Sequence, residues 1–150
     1  MRLNTKNHSR RNSGIALVWT AIMLIVLILF VGLALDVARL YLAAHQLQNA
    51  ADAAALAGAQ IVRWDTDANT RTAAYNLAFA NYYVDGHSVL LDRNDNPPNA
   101  DPNGDIVIGS YDRSKTPPFE PNLVSPNAVK VVARCTTSPP HNPPVSLIFG

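Results

Sequence analysis

Residues 15–35 form an uninterrupted apolar stretch that restricts the fold more than any other part of the sequence. The stretch holds 21 residues without a charge, and only Trp19 and Thr20 carry a polar side-chain group. A helix of this length covers roughly 31 Å at about 1.5 Å per residue, which matches a bilayer core of about 30 Å. A domain of 150 residues could not bury such a helix on every side. The stretch therefore predicts a single transmembrane helix.

The charges that flank this stretch predict its orientation. Four basic residues and no acidic residue precede it, namely Arg2, Lys6, Arg10 and Arg11. Asp36 and Arg39 follow it, and their charges nearly cancel. Because cytoplasmic flanks carry an excess of Lys and Arg, we expect residues 1–13 in the cytoplasm and the rest of the chain outside it.

The helical pattern continues beyond the apolar stretch, from Asp36 to Arg63. This segment has no proline, and nine alanines fall between Ala43 and Ala59. Because alanine has the highest helix propensity, we expect the membrane helix to run on to about Arg63. One face repeats small or apolar side chains at three- and four-residue spacing: Leu40, Leu47, Ala51, Ala54 and Gly58. A solvated spacer would hold more Lys and Glu, so this face predicts helix–helix packing, either on the chain's own later helix or on another subunit.

Residues 64–150 predict an α+β region. Thr66 or Asp67 can cap a second, amphipathic helix over Ala68–Tyr83. Its expected buried face holds Ala73, Leu77, Ala80 and Val84. Its aromatic residues are expected in the core: Tyr75, Phe79, Tyr82 and Tyr83. Four short segments are predicted strands of a small antiparallel sheet that this helix covers: Ser88–Asp92, Asp105–Tyr111, Ala128–Thr137 and Val145–Phe149.

The loop from Leu91 to Asp105 is the first candidate for a binding site. Its oxygen-bearing side chains are Asp92, Asn94, Asp95, Asn96, Asp101, Asn103 and Asp105. Alternating oxygen ligands suit calcium, but Gly104 stands at the fourth position of the series that starts at Asp101, where calcium loops place glycine at the sixth. Asn, Asp, Pro and Gly are also ordinary turn residues. We assign no metal site here and keep calcium as the alternative.

No catalytic or metal-binding motif occurs in the sequence. His8, His45, His87 and His141 lie at no metal-ligand spacing, and no G-x-S-x-G, H-E-x-x-H or P-loop pattern is present. A net charge of +1 gives no reason to expect nucleic acid as a partner. The single cysteine, Cys135, cannot form an intramolecular disulfide, and its apolar surroundings predict a small buried side chain. We therefore predict no catalytic residue, no cofactor and no enzymatic activity.

The first third of the chain resembles a known family. The resemblance depends on Leu35–Asp36 at the end of the apolar helix, on Arg39–Tyr41, and above all on LQNAADAAALAGA from Leu47 to Ala59. With these features, residues 13–60 resemble the N-terminal module of TadE/TadG-like proteins of the tight-adherence (Flp) pilus assembly system. Three later segments resemble strands of the extracytoplasmic region of TadG-like proteins: 104–112, 126–134 and 145–150.

The resemblance implies a minor-pilin-like or assembly protein in the cytoplasmic membrane of a bacterium, with other pilus or envelope assembly proteins as partners. We expect a basic leader at 1–13, a helical module at 14–63 and an extracytoplasmic α+β region at 64–150, which is the general plan of pilin-like proteins. Self-association through the Leu47–Ala59 helix is a further expectation. The alternative function is a membrane-tethered binding module that uses the Asp92–Asp105 loop.

Removal of the leader is a separate question. The apolar stretch is longer than the roughly 7–15 residues of a signal-peptide core, which favours an uncleaved anchor. A pilin-type cut after Gly14 is the alternative, because a basic leader, a glycine and an apolar helix are all present. Trp19 stands where pilins carry an acidic residue, which counts against that cut.

Overall fold

The computed structural model describes residues 9–95, 101–137 and 142–149, with side chains from Gly14 onward except that of Asp85. Five residues named above lie outside the described ranges: Arg2, Lys6, His8, Asn96 and His141. The chain is an α+β protein with one long apolar helix, one short helix and two small antiparallel sheets, which confirms the predicted pilin-like plan. Its described residues divide into two compact units, 9–38 with 147–149, and 39–146.

Helix α1 extends from Ser9 to Ile61 and confirms that the apolar helix continues into the alanine-rich segment. Its interior has no proline, and alanine and leucine favour the helical backbone throughout. A turn ends the helix, in which the Val62 N–H donates to Gly58 O and the Asp65 N–H donates to Ile61 O, both at 3.0 Å. Within the described residues, α1 is the one helix long and apolar enough to cross a membrane.

Helix α2 extends from Asp67 to Phe79, with Thr66 as its N-cap. The Thr66 hydroxyl accepts a hydrogen bond from the Asn69 N–H at 3.2 Å, which satisfies one of the free donors of the first turn. Hydrogen bonds from the Thr66 N–H and the Asn69 amide lower the pKa of the neighbouring Asp65. The predicted cap is confirmed, but the helix is shorter than predicted because Tyr82 and Tyr83 form a strand.

The buried face of α2 differs from the predicted one. Its buried residues are Thr70, Arg71, Ala74 and Ala78. Leu77 is 40% exposed and Ala80 is exposed, so the predicted face was wrong. Among the aromatic residues, Tyr83 is buried, whereas Phe79 and Tyr82 are 47% and 62% exposed. The face turned inward is the one that lets the Arg71 guanidinium reach backbone carbonyls of the sheet region.

The strands form two sheets. β1 (Tyr82–Tyr83) and β2 (His87–Ser88) pair as a two-stranded hairpin around a short 3-10 turn in which Gly86 has a positive φ of 76°. The second sheet has the order β4–β3–β5, all antiparallel: β3 is Ile106–Tyr111, β4 is Phe119–Pro121 and β5 is Ala128–Val131.

Two of the four predicted strands are therefore present in the structure. β3 agrees with the predicted Asp105–Tyr111, and β5 covers the first part of Ala128–Thr137. Of Ser88–Asp92 only Ser88 lies in a strand, and Val145–Phe149, described throughout, forms none. β4 was missed because the prolines around it obscure any strand pattern.

The core of the second unit lies between the extension of α1, helix α2 and the sheets. It consists of Ala43, Leu47, Ala50, Ala54, Ala74, Ala78, Tyr83, Val89, Leu91 and Ile106. The helical contribution is almost entirely alanine, which brings the helix backbones close to the larger side chains of the strands. The described residues between 62 and 146 include those that pack on the extension, and they are called the head below.

Candidate functional site

The surface of α1 from Gly14 to Val31 is apolar and exposed at every position. Exposure of its large side chains ranges from 39% at Val26 to 72% at Leu17. The hydroxyl of Thr20 donates to Ala16 O at 2.8 Å, so this polar group has its partner inside the helix. All backbone groups of a helix are likewise bonded internally, which is what a bilayer core requires. This segment is long and apolar enough to cross a membrane, and it is the membrane span of the chain.

The extension of α1 buries its small side chains against the head. The buried set, called the small-residue face, is Ala43, Leu47, Ala50, Ala51, Ala54 and Gly58. A Cβ on Gly58 would lie 3.1 Å from Cγ2 of Val129, so glycine at this position admits a close approach of β5. The predicted packing face is correct except for Leu40, which is 47% exposed. The face packs within the same chain, where it shares a core with helix α2, as predicted, and also lies against strand β5, which was not predicted.

An open groove of about 390 Å³ follows the small-residue face. Its walls are Ala44, Leu47, Gln48 and Ala51 of α1, and Val131, Val132 and Ala133 of β5 and the residues after it. β5 forms one edge of its sheet, so within the described residues no further strand covers its outer side. At the rim, the Gln48 side-chain amide donates to Asp52 Oδ1 at 2.8 Å.

The opposite side of the extension keeps large apolar side chains in solvent. Leu42 is 52% exposed and Leu56 is 63% exposed. Tyr41 is 68% exposed, and its ring meets the imidazole of His45 edge-on at 4.3 Å between centroids. The extension thus has one face occupied by the head and an opposite side on which exposed apolar residues alternate with the polar His45, Asn49 and Asp52.

A buried ion pair holds the head together beside β3. The Asp105 carboxylate is fully buried and pairs with the Arg134 guanidinium. Its other oxygen accepts the Asp92 N–H at 2.8 Å. Arg134 also donates to Asn103 O at 2.6 Å. A buried carboxylate needs such partners because removing it from water costs several kcal/mol. The pair fixes the Leu91–Asp105 loop against the residues that follow β5.

The described side chains of this loop are bonded in turns. Asn94 has a left-handed backbone with φ of 58°, which asparagine tolerates. Its amide donates to Asp101 O and accepts from the Asp101 N–H, both at 2.9 Å. Asp101 Oδ1 in turn accepts the Asn103 N–H at 2.8 Å. Calcium bound by Asp101, Asn103 and Asp105 would have to displace Arg134 from Asp105. The described residues contain no group of three or more His, Cys, Asp or Glu that could hold a metal.

Two buried polar residues were missed from the sequence. Arg71 is 4% exposed and donates to Ile106 O at 2.7 Å and to Arg93 O at 3.2 Å, while burial lowers its pKa. Asn142 is fully buried, and its side-chain amide bonds to the backbone of Leu90 as a neighbouring strand would. It accepts the Leu90 N–H at 2.7 Å and donates to the Leu90 carbonyl at 3.0 Å. Arg71 is the only basic residue of helix α2 and stands beside its alanines, which was a signal for the first, whereas nothing in the local sequence marks Asn142.

The remaining candidates stand apart from one another. Cys135 is exposed, contrary to the prediction of a buried side chain, because β5 ends at Val131 and Cys135 forms only an isolated bridge with Asn142. Partial burial raises the pKa of its thiol, which keeps it protonated at neutral pH. His45 lies on α1 and His87 in β2 beside Tyr83.

The contact between the small-residue face and the head can be tested with a matched pair of substitutions. Ala54 is fully buried and Ala59 is exposed on the same helix. We expect Ala54→Leu to destabilise the head by about 1–3 kcal/mol through overpacking, and Ala59→Leu to change it by no more than about 0.5 kcal/mol. Hydrogen exchange of the β3 amides in detergent-solubilised protein measures both. Equal exchange in the two variants would contradict the packing described above.

The buried ion pair gives a second prediction. Arg134→Met leaves the Asp105 carboxylate buried without its cation, so we expect a loss of about 3 kcal/mol in the opening free energy of β3. Arg113→Met removes the charge of an exposed arginine and serves as the control, with no expected loss. Adding Asp105→Asn to Arg134→Met should recover part of the stability, because the unpaired charge is then gone while an oxygen remains to accept the Asp92 N–H. No recovery in hydrogen exchange would show that the pair acts through its shape instead of its charge.

The comparison with known proteins concerns the helix. Residues 14–60 match the model of the Tad family, whose description is "Putative Flp pilus-assembly TadE/G-like". The matched segment contains the membrane span together with the small-residue face. The resemblance of the N-terminal module is thereby confirmed. Searches of the curated proteins and of the solved structures found no match.

Proposed function

We propose that this chain, which carries a TadE/TadG-like N-terminal module, is a minor-pilin-like or assembly component of a Flp (tight-adherence) pilus system. The observation that carries the proposal is the match of residues 14–60 to the Tad family. A role in Flp pilus assembly follows from the family, and the minor-pilin-like role is the finer proposal. We assign the protein a structural task and no catalytic residue.

The proposed arrangement places the chain in the cytoplasmic membrane of a bacterium. The basic residues before the span hold residues 1–13 in the cytoplasm, and the α+β region lies outside. The domain limits proposed from the sequence, 1–13, 14–63 and 64–150, describe the leader, the helical module and this region. The membrane stores the subunit until it joins an assembly.

Partner subunits are proposed to pack on the helix where the head does not. The head occupies most of the small-residue face, which leaves only the open groove beside β5 along it. Two surfaces remain, the exposed span and the side of the extension that carries Leu42 and Leu56. Exposed leucines 14 residues apart lie on nearly the same side of an α-helix, since four turns take about 14.4 residues. Self-association through residues 47–59 would use the same side, at Leu56.

Removal of the chain tests its role in assembly. In a bacterium that forms Flp pili, we expect deletion of the chain to reduce or abolish surface fibres, as counted by electron microscopy. Wild-type protein should restore them, whereas Ala54→Leu should restore fewer because its head is destabilised. Normal fibres after the deletion would refute the proposed function.

Crosslinking tests the contact surface. With Cys135→Ser as background, Leu42→Cys and Leu56→Cys place single thiols on the proposed partner side. We expect a benzophenone attached to the thiol through maleimide, which inserts into a neighbouring C–H bond on illumination, to join these positions to pilus proteins or to a second copy in intact cells. Val124→Cys, at a head position that is 91% exposed, controls for accessibility without a partner. Identical products at all three positions, or none at Leu42 and Leu56, would refute packing through this side.

A further inference from the structure

In the unit formed by residues 9–38 and 147–149, a short apolar segment lies against the end of the membrane helix. The Ile148 N–H donates to Asp36 Oδ1 at 2.7 Å, and the Phe149 N–H donates to Asp36 Oδ2 at 3.0 Å. The two oxygens of the Asp36 carboxylate therefore accept hydrogen bonds from two consecutive backbone amides. Asp36 is only 6% exposed, although it lies on a helix whose neighbours are mostly open to solvent.

Asp36 marks the level at which the helix leaves the bilayer. It is the first charged residue after the 21 uncharged residues of the apolar stretch. A carboxylate is costly in hydrocarbon, so the position of Asp36 sets the boundary between the membrane core and the headgroups. The backbone amides of Ile148 and Phe149, which donate to Asp36, therefore lie at the same boundary.

Phe149 reaches past this boundary toward the membrane core. Its ring lies over Gly32, at a place where a Cβ on residue 32 would overlap it. Gly32 precedes Asp36 by four residues, which is roughly 6 Å along the helix into the span. Glycine at this position thus leaves space for the aromatic ring on the surface of the span.

The three side chains of the segment are apolar, and each remains partly exposed. Leu147 is 39% exposed, Ile148 is 53% exposed and Phe149 is 59% exposed. They continue the exposed apolar surface of the span, which already requires lipid around it. Apolar and aromatic side chains at headgroup level enter the boundary of the acyl chains, where they lose contact with water.

We propose that residues 147–149 form a second membrane contact, in which their side chains enter the lipid interface beside the span and Asp36 holds their backbone. The partner is the acyl-chain and headgroup boundary of the leaflet from which the helix emerges. Asp36 is needed because the amides of a non-helical segment at this depth would otherwise lack an acceptor. The contact depends on the membrane anchor and is independent of any role in pilus assembly.

A spin-label experiment on the full chain tests this contact. In the background Cys135→Ser, a nitroxide is attached at Ile148→Cys, which keeps Phe149 and both backbone amides. The protein is reconstituted in phosphatidylcholine–phosphatidylglycerol vesicles, and collision of the label with apolar oxygen is compared with collision with a water-soluble nickel complex. Leu24→Cys reports the lipid value within the span, and Val124→Cys reports the value of the exposed head.

We expect the oxygen-to-nickel ratio at position 148 to shift away from that at 124 toward that at 24. Adding Asp36→Ala should move the ratio at 148 back toward water while the label at 24 stays in lipid. Asp52→Ala, which removes an exposed carboxylate of the same helix, should leave it unchanged. A ratio at 148 equal to that at 124 overturns the proposal. A label immobilised and shielded from both reagents also overturns it, because another protein surface then covers the segment.

Discussion

The apolar surface of α1 has to be removed from water, and the rest of the chain is arranged around that requirement. From Gly14 to Val31 every position is exposed, and the Thr20 hydroxyl is bonded within the helix, so lipid can surround this segment without leaving a polar group unpaired. The same helix then enters an aqueous environment, where its surface must be covered in another way. There the side chains change from large and branched to alanine and glycine, and the covering partner changes from lipid to the head.

Small side chains make that second contact close. Ala50 and Ala54 are fully buried, and Gly58 lies directly beneath Val129 of β5. The head supplies the larger apolar side chains of this contact, among them Val89, Leu91 and Ile106, and it also holds buried polar groups. Through the Asp105–Arg134 pair, the Arg71 guanidinium and the Asn142 amide, these groups bond loop backbone to the sheet. The helix and the head are thus parts of one folded unit from Arg39 onward.

This arrangement bears on how a TadE/TadG-like module can work. Its most distinctive run, Leu47–Ala59, contains the face that holds the head in this chain, which explains why so many small residues are needed there. The surfaces of α1 that stay exposed are the span and the side that carries Leu42 and Leu56, and these are the surfaces proposed for contact with other subunits. The segment around Phe149 adds a contact at the membrane boundary, so that the anchor involves more than the helix alone.

Local patterns in the sequence were sufficient for the elements whose stability is local. The uncharged stretch, the alanine-rich extension, the Thr66 cap and strand β3 each follow from propensity or spacing over a few residues. Contacts between distant residues were not accessible in this way. The buried face of α2 was misassigned because Arg71 reaches carbonyls 22 and 35 residues away, and Ser88–Asp92 pairs at Leu90 with the Asn142 side chain in place of a strand. The sequence alone determined that this chain has a membrane helix with a small-residue face. Only the tertiary structure decided that the chain's own head occupies that face, because packing and desolvation depend on residues that the sequence does not place side by side.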